Sequence, residues 1–520
     1  MNSEADLILY NANVITLDRT RPRATAVAVK GSRIIDVGTD EDTRFHKGTR
    51  TEIIDCHGRT LLPGFNDAHC HPIALASSLL SVDCRPSSVR SISDIQTQIH
   101  HRAKQTPTGR WIRATGYNEF YLAEKRHPNR WDLDKAAPDH PVKLSHRSGH
   151  ACVLNSLALK LLQISKETPE PQGGIIERDL ETGEPNGLLF EMNPYIEKLM
   201  PHLSEEELES GIKLANEEFL SHGITSVQDA TWSSGLRRWQ ILRQSKEQQK
   251  LMPRVSMMIG MDEIEEFEAG NVCHQRSLDS SLHLGGVKIV LHTATGALNP
   301  PQEELNQLVH KAHRLGYQIA FHADEEKAVE AAINALEDVL SQIPRADHRH
   351  RLEHCSVCPP HLMRRLKKVK ALVVTQPSFI YYSGERYLAT VPPDDLNWLY
   401  PIGSLLSNSL RVAAGSDAPV VPLNPLVGIY AAVTRTAETG QCLIPRESIS
   451  CMEALKLYTI DAAYASFEEN IKGSISADKL ADLAVLSKDP TGVPPEEIKT
   501  ITVAMTIVDG KVVWQRQADE

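Results

Sequence analysis

A chain of 520 residues with 41% apolar and 24% charged side chains is long enough for a large core, arranged as about three domains of ~150 residues or as one barrel with additions. A formal net charge of −11, with no basic cluster to offset it, argues against nucleic acid, whose phosphates need a positive face. No apolar run approaches the ~20 residues of a membrane span, the opening residues predict no signal peptide, and nine scattered cysteines suit a reducing, cytoplasmic setting better than a disulfide framework.

In chain order, "ADLILYNANVITLD" and "AVAVKGSRIIDVG" read as short β-strands joined by turns. "RTLLPGFNDAH" is the first of eight further candidate strands. The others cover 223–230, 254–261, 285–292, 317–324, 350–356, 370–378 and 410–419. Helical patterns separate most of them, as in "EELNQLVHKAHRLG" and "EKAVEAAINALEDVLSQI". "GIKLANEEFLSHG" is an amphipathic helix capped by Gly223. Near the C-terminus "GSISADKLADLAVLSKDP" and "AMTIVDGKVVWQRQ" return to β, and the Asp-Gly of "VDGKVV" signals a hairpin.

The alternation predicts an α/β fold: a (β/α)₈ TIM-like barrel over residues 62–470. A small β-sandwich domain is expected from both termini, residues 1–61 plus 471–520. More than a hundred residues separate the first two strands, so an inserted subdomain is expected over 88–205, above the barrel mouth. Trp111 and Trp131 are expected to pack inside it, and Cys355 and Cys358 of "CSVC" to be small buried side chains.

Chemistry in such a barrel sits at the C-terminal ends of the strands. In "LLPGFNDAHCHP" His69 and His71 are i and i+2, so a strand turns both to one side. Lys288 falls on strand four, His322 at the end of strand five, His354 at the end of strand six and Asp417 at the end of strand eight. One histidine of 22 at a strand end means little, but six ligand-type residues on five strand ends form a constellation. Imidazole with carboxylate suits zinc, iron, manganese or nickel. Such a metal acidifies bound water and polarises a carbonyl, while an aspartate moves the proton to the leaving group. That chemistry hydrolyses amides, lactams, esters or ring amino groups.

These residues resemble those of the amidohydrolase superfamily of metal-dependent hydrolases. "GFNDAHCH" is similar to its first-strand G-F-x-D-x-H-x-H signature, "GSDAP" to its eighth-strand aspartate, and "GSISADKLADLAVL" to its return to the β domain. "GYNE", "SGHACVLNSLAL", "GEPNGLLFE", "RLEHCS", "TQPSF" and "YTIDAAYAS" resemble the YtcJ-like branch, which includes N-substituted formamide deformylases. The resemblance implies that His69, His71 and Asp417 hold one divalent metal, with zinc the expected ion. His322 and His354 would hold a second, and a carboxylated Lys288 would bridge the two. It implies hydrolysis of a non-peptide C–N amide bond in a small molecule, of N-substituted formamide or N-acyl amine type, with Asp417 as proton shuttle and His354 beside it. Relatives often associate, which allows a homodimer; no residue pattern here points to one.

Two departures keep a second enzyme reading open. "KIVLHTATG" has His292 and Thr293 where many of the branch have Asp-Gly, and "HADEE" puts Glu325 three residues after His322. The latter resembles mononuclear deaminases and cyclic-amide hydrolases, in which Glu325 and His354 would serve; the plainer reading of Glu325 is a helix N-terminal residue favoured by the dipole. One metal or two is therefore open in the sequence. Tyr117, Glu119 and His150 of the insertion, with Tyr382 and Arg386 after strand seven, are the candidate substrate contacts.

Overall fold

The computed structural model describes residues 4–171, 173–270, 281–293 and 296–517. They form two compact units, Met1–Pro72 with Asn216–Glu520, and Ile73–Ala215. No helix among the described residues is long and apolar enough to cross a membrane.

In the first unit eight parallel strands stand side by side in chain order: β1 Phe65–Cys70, β2 Ile224–Asp229, β3 Arg254–Gly260, β4 Leu282–Val290, β5 Ile319–Ala323, β6 Arg351–His354, β7 Leu372–Thr375 and β8 Val412–Ala414. Every residue of β1, β2 and β3 is buried, as parallel strands covered on both faces require. The helix Gln302–Arg314 between β4 and β5 buries Leu305, Val309, Ala312 and His313, one stripe at helical spacing. Strand order closes at a seam between β8 and β1. There the Asp417 N–H donates to the His69 carbonyl at 2.7 Å. The Asp67 carboxylate accepts from Ser416 N–H at 2.9 Å and from His69 N–H at 3.1 Å.

The expected sandwich of both termini forms beside the barrel in this unit. Leu7–Tyr10, Ala26–Lys30, Arg33–Gly38 and Glu52–Asp55 make a four-stranded sheet. Thr60–Pro63 lies between Asn13–Ile15 and Leu483–Leu486 in a six-stranded one. Leu9, Val27 and Ile34 pack with Leu61, Leu483 and Ile507 in the core. The Asp-Gly hairpin joins Val503–Val508 to Lys511–Gln515, with φ of 53° at Asp509 and 72° at Gly510, the left-handed pair such a turn needs. One expected strand is corrected. "RTLLPGFNDAH" is two strands, Thr60–Pro63 in the terminal sheet and β1 in the barrel, because the chain changes sheets at Gly64. Alternation of side chains carries no mark of such a change.

The second unit has a six-stranded sheet of its own, mixed in direction. The helices Ile92–Gln105 and Arg130–Ala136 cover one hydrophobic core with Ile95, Ile99 and Leu133, while Leu159 and Ile196 belong to a second core. It is wider than 88–205 because Val82–Asp83 already pairs with the strand Ile112–Tyr117. Trp131, expected inside, is 40% exposed, with the Arg130 guanidinium 4.9 Å over its ring. It occupies the outer side of a short helix whose buried positions are Asp132, Leu133 and Ala136. Cys355 and Cys358 are buried free thiols.

At the N-terminal ends of β5 and β6 three buried histidines are locked in neutral form. Ile319 N–H donates to His350 Nδ1 at 3.0 Å, so His350 carries its proton on Nε2, 2.8 Å from His313 Nδ1. His313 Nε2 in turn meets the Ile343 carbonyl at 2.9 Å. His348 Nδ1 accepts from His350 N–H, and its Nε2 faces the Val369 carbonyl. Burial holds all three rings below the ordinary histidine pKa, and Arg345 adds to this at each; His310 adds to it at His313, His313 at His348, and His348 and His313 at His350, while the bond to the Ile343 carbonyl opposes it at His313 and the bond to the Val369 carbonyl and the Asp347 charge oppose it at His348. Below pH ~6.5 the unfolded chain therefore binds more protons than the fold, and stability falls with acid. Melting temperature recorded from about pH 7 down to pH 5 is expected to decline; a flat profile would show that these rings titrate freely in the fold.

Candidate active site

The C-terminal ends of β1 and β8 bring His69, His71 and Asp417 together, with one donor atom from each all within 4.8 Å of one another. Asp417 Oδ1 lies 2.9 Å from His71 Nε2 and 3.4 Å from His69 Nε2. Gly415 allows this approach: a Cβ there would stand 2.4 Å from the His69 backbone nitrogen. Asp417 has a left-handed φ of 59°, a conformation that costs a non-glycine residue energy and is found at functional sites.

What lies behind the two imidazoles decides which nitrogen carries the proton. His69 Nδ1 is 2.5 Å from Glu353 Oε2, a carboxylate that can only accept, so the proton is on Nδ1. His71 Nδ1 is 3.0 Å from Thr231 Oγ1, whose own proton goes to Asp229 Oδ1 at 2.6 Å. Both Nε2 atoms are then bare lone pairs facing an anionic oxygen. Lone pair against carboxylate is repulsive unless a cation lies among them, so the donor set fits a metal ion.

Burial raises the Asp417 carboxyl, and only protons on the Nε2 atoms of His69 and His71 would pull it back down, so with both nitrogens bare it needs the charge of a cation to stay ionised. Glu353 is likewise raised by burial and pulled far down, first by the Arg351 charge and then by His69. Arg351 pairs with both Glu353 oxygens and also donates to Gln228 Oε1 at 2.5 Å and to the Ala68 carbonyl at 2.6 Å.

The other expected residues are placed unevenly. His354 ends β6 with its ring centroid 4.8 Å from that of His69, and His322 follows at 4.5 Å from His354. His354 Nδ1 faces Gln376 Oε1 at 2.7 Å. Lys288 is buried in β4, and its Nζ has no hydrogen-bond partner among the described residues. Burial lowers it to about 8 against the pull of Glu353 and Asp417. Burial lowers His322 to about 4, although Asp324 opposes. The carboxylate that meets His322 Nε2, at 3.1 Å, is Asp324. Glu325 is instead the exposed N-cap residue of the helix Glu326–Gln342, paired with the Thr293 hydroxyl, so nothing here favours it as proton carrier.

Tyr382 and Arg386 stand on the helix Ser378–Thr390 after β7, Tyr382 edge-on to Tyr381 and Arg386 over the Tyr387 ring. Tyr117, Glu119 and His150 belong to the second unit. Within it Tyr117 Oη meets His127 at 2.9 Å, Glu119 pairs with His146 at 2.9 Å, and His150 pairs with Glu191 at 2.9 Å.

Sequence reasoning missed Glu353, Thr231, Asp229 and Asp324. The one signal was for Glu353: an Arg and a Glu, two apart, inside a strand otherwise too buried for charge.

A parallel eight-stranded barrel with imidazoles and a carboxylate at its strand ends defines a hydrolase barrel of the metal-dependent class. The model described as the amidohydrolase family matches residues 52–514, and the chain belongs to that family, whose members are hydrolases acting on carbon–nitrogen bonds. It is 31% identical over 543 residues to the N-substituted formamide deformylase of Arthrobacter pascens, covering 99% of each chain. It is 27% identical to the putative amidohydrolase YtcJ of Bacillus subtilis strain 168, over 98% of this chain and 99% of that one. An uncharacterized metal-dependent hydrolase from Pyrococcus horikoshii OT3 shares the fold at a TM-score of 0.75 and 22% identity, over 94% of this chain and 99% of that one.

Proposed function

We propose that this protein hydrolyses a linear, non-peptide amide of a small molecule, of N-substituted formamide or N-acyl amine type, using a divalent metal held by His69, His71 and Asp417. The observation that carries the reading is the meeting of two proton-free ring nitrogens with one carboxylate oxygen. It stands in a chain that aligns end to end with a formamide deformylase. When bound, the metal supplies Lewis acidity and makes water acidic at neutral pH. Asp417 takes the proton of the attacking water and returns it to the leaving nitrogen. His354 directs Nδ1 at an amide oxygen, so its Nε2 is free to accept and suits a second cation together with His322. The buried, unpartnered Nζ of Lys288 supports a carbamate, an anionic bridge for two ions. Zinc is the ion this nitrogen-rich set favours.

The test is metal analysis of protein supplemented with zinc and bicarbonate, followed by a screen of formyl and acyl amides against ring amides. Two zinc ions per chain, falling to one in Lys288→Met, are expected, with turnover of the linear amides. Turnover of ring amides alone, with one ion and a bare lysine, would replace this reading by the mononuclear one. Absence of bound metal would end both.

A further inference from the structure

Resting on the metal reading above, we propose that Thr231 and Glu353 are positioning residues that preset the tautomers of His71 and His69, and thereby govern how tightly the site holds a divalent cation. Neither residue points at the meeting place of the Nε2 atoms; each stands behind one imidazole.

The two supports differ in chemistry. Behind His69 is a full carboxylate, Glu353, at 2.5 Å, itself held by Arg351, and both side chains are at most 1% exposed. Behind His71 is a neutral hydroxyl at 3.0 Å. That hydroxyl has no freedom to reverse its role. Thr231 Oγ1 donates to Asp229 Oδ1 at 2.6 Å, and the same oxygen accepts the Thr231 N–H at 3.1 Å. The only proton able to lie between Thr231 and His71 therefore comes from His71 Nδ1. In the same way Glu353 has no proton to give while Arg351 occupies both its oxygens.

Each imidazole thus reaches the site with its Nε2 lone pair exposed before any cation arrives. Without these supports an imidazole is free to move its proton to Nε2, where it would bond to Asp417 Oδ1 and compete with the ion. A support that fixes the tautomer and makes the ring more basic strengthens ligation; losing one typically costs about 10–100-fold in metal affinity.

The experiment measures zinc affinity by competition with a chelator, with no substrate present. The proteins are wild type, Thr231→Val, Thr231→Ser and Glu353→Gln, each shown by circular dichroism to be folded. Thr231→Val keeps the shape and loses the acceptor, so a weakening of about 10–100-fold is expected. Thr231→Ser keeps the hydroxyl and should return to the wild-type value. Glu353→Gln should weaken zinc in the same range, and if it fails to fold, the threonine pair decides alone. Equal zinc affinity in wild type and Thr231→Val overturns the inference while leaving the metal reading intact. A valine and a serine variant that weaken zinc equally overturn it too, because the hydroxyl is then not what matters. Wild type that takes up no zinc overturns both.

Discussion

Asp417→Asn is expected to lower kcat on a formyl or acyl amide by about 10²–10⁴-fold, the range lost with a proton-transferring group. Asparagine keeps the size of the side chain, and the backbone bond from residue 417 to the His69 carbonyl does not depend on it. What changes is the oxygen pair. The wild-type Oδ1 faces His71 Nε2 at 2.9 Å and His69 Nε2 at 3.4 Å. An amide has no negative charge to hold a cation and cannot take a proton from water at neutral pH. Initial rates of the zinc-supplemented variant, alongside its circular dichroism, check this. Near wild-type kcat in a folded Asp417→Asn protein would remove Asp417 from the reaction.

Arg351→Met is expected to destabilise the barrel by about 3–5 kcal/mol, the cost of breaking a buried ion pair from one side. The guanidinium joins three strands: Glu353 on its own β6, Gln228 on β2 and the Ala68 carbonyl on β1. Methionine fills much of the volume but leaves the Glu353 carboxylate without its main countercharge and two buried oxygens without donors. Lysine would not repair this, because one ammonium cannot reproduce the planar fork. The urea midpoint of the variant should fall clearly below wild type. An unchanged midpoint would mean that Glu353 is not ionised in the fold. The sign with pH follows from the same pair. Glu353 is depressed in the fold, so its contribution is present above the unfolded carboxylate pKa of ~4.3 and is lost as acid carries the pH down through its lower folded value.

The barrel was legible because its signals are local. Each strand is a short apolar run, and each intervening helix has its own buried stripe. His69 and His71 were legible because strand alternation puts i and i+2 on one side. Asp417 was legible as a carboxylate near the end of the last strand, although β8 itself stops at Ala414 and a left-handed turn delivers the side chain. His354 was legible by position but not by geometry. Alternation would turn Glu353 and His354 apart, yet both meet His69, because His354 and Cys355 have φ of 68° and 49° and break the pleat. Thr231, Asp229 and Glu353 were not legible as supports. Which side chain stands behind an imidazole depends on register with a neighbouring strand, and no spacing along the chain encodes that. The same limit let Glu325 stand where the nearer partner of His322 is Asp324.

The seam between β1 and β8 has a consequence for the order in which the protein is made. The bond from Ser416 to Asp67 joins residues 349 apart in the chain. At about 5–20 residues per second, a ribosome needs roughly 20–70 s to pass from one to the other. During that interval the nascent chain carries His69 and His71 but no Asp417. The carboxylate arrives with the last barrel strand, so His69, His71 and Asp417 come together only late in synthesis, at the moment the ring of strands shuts.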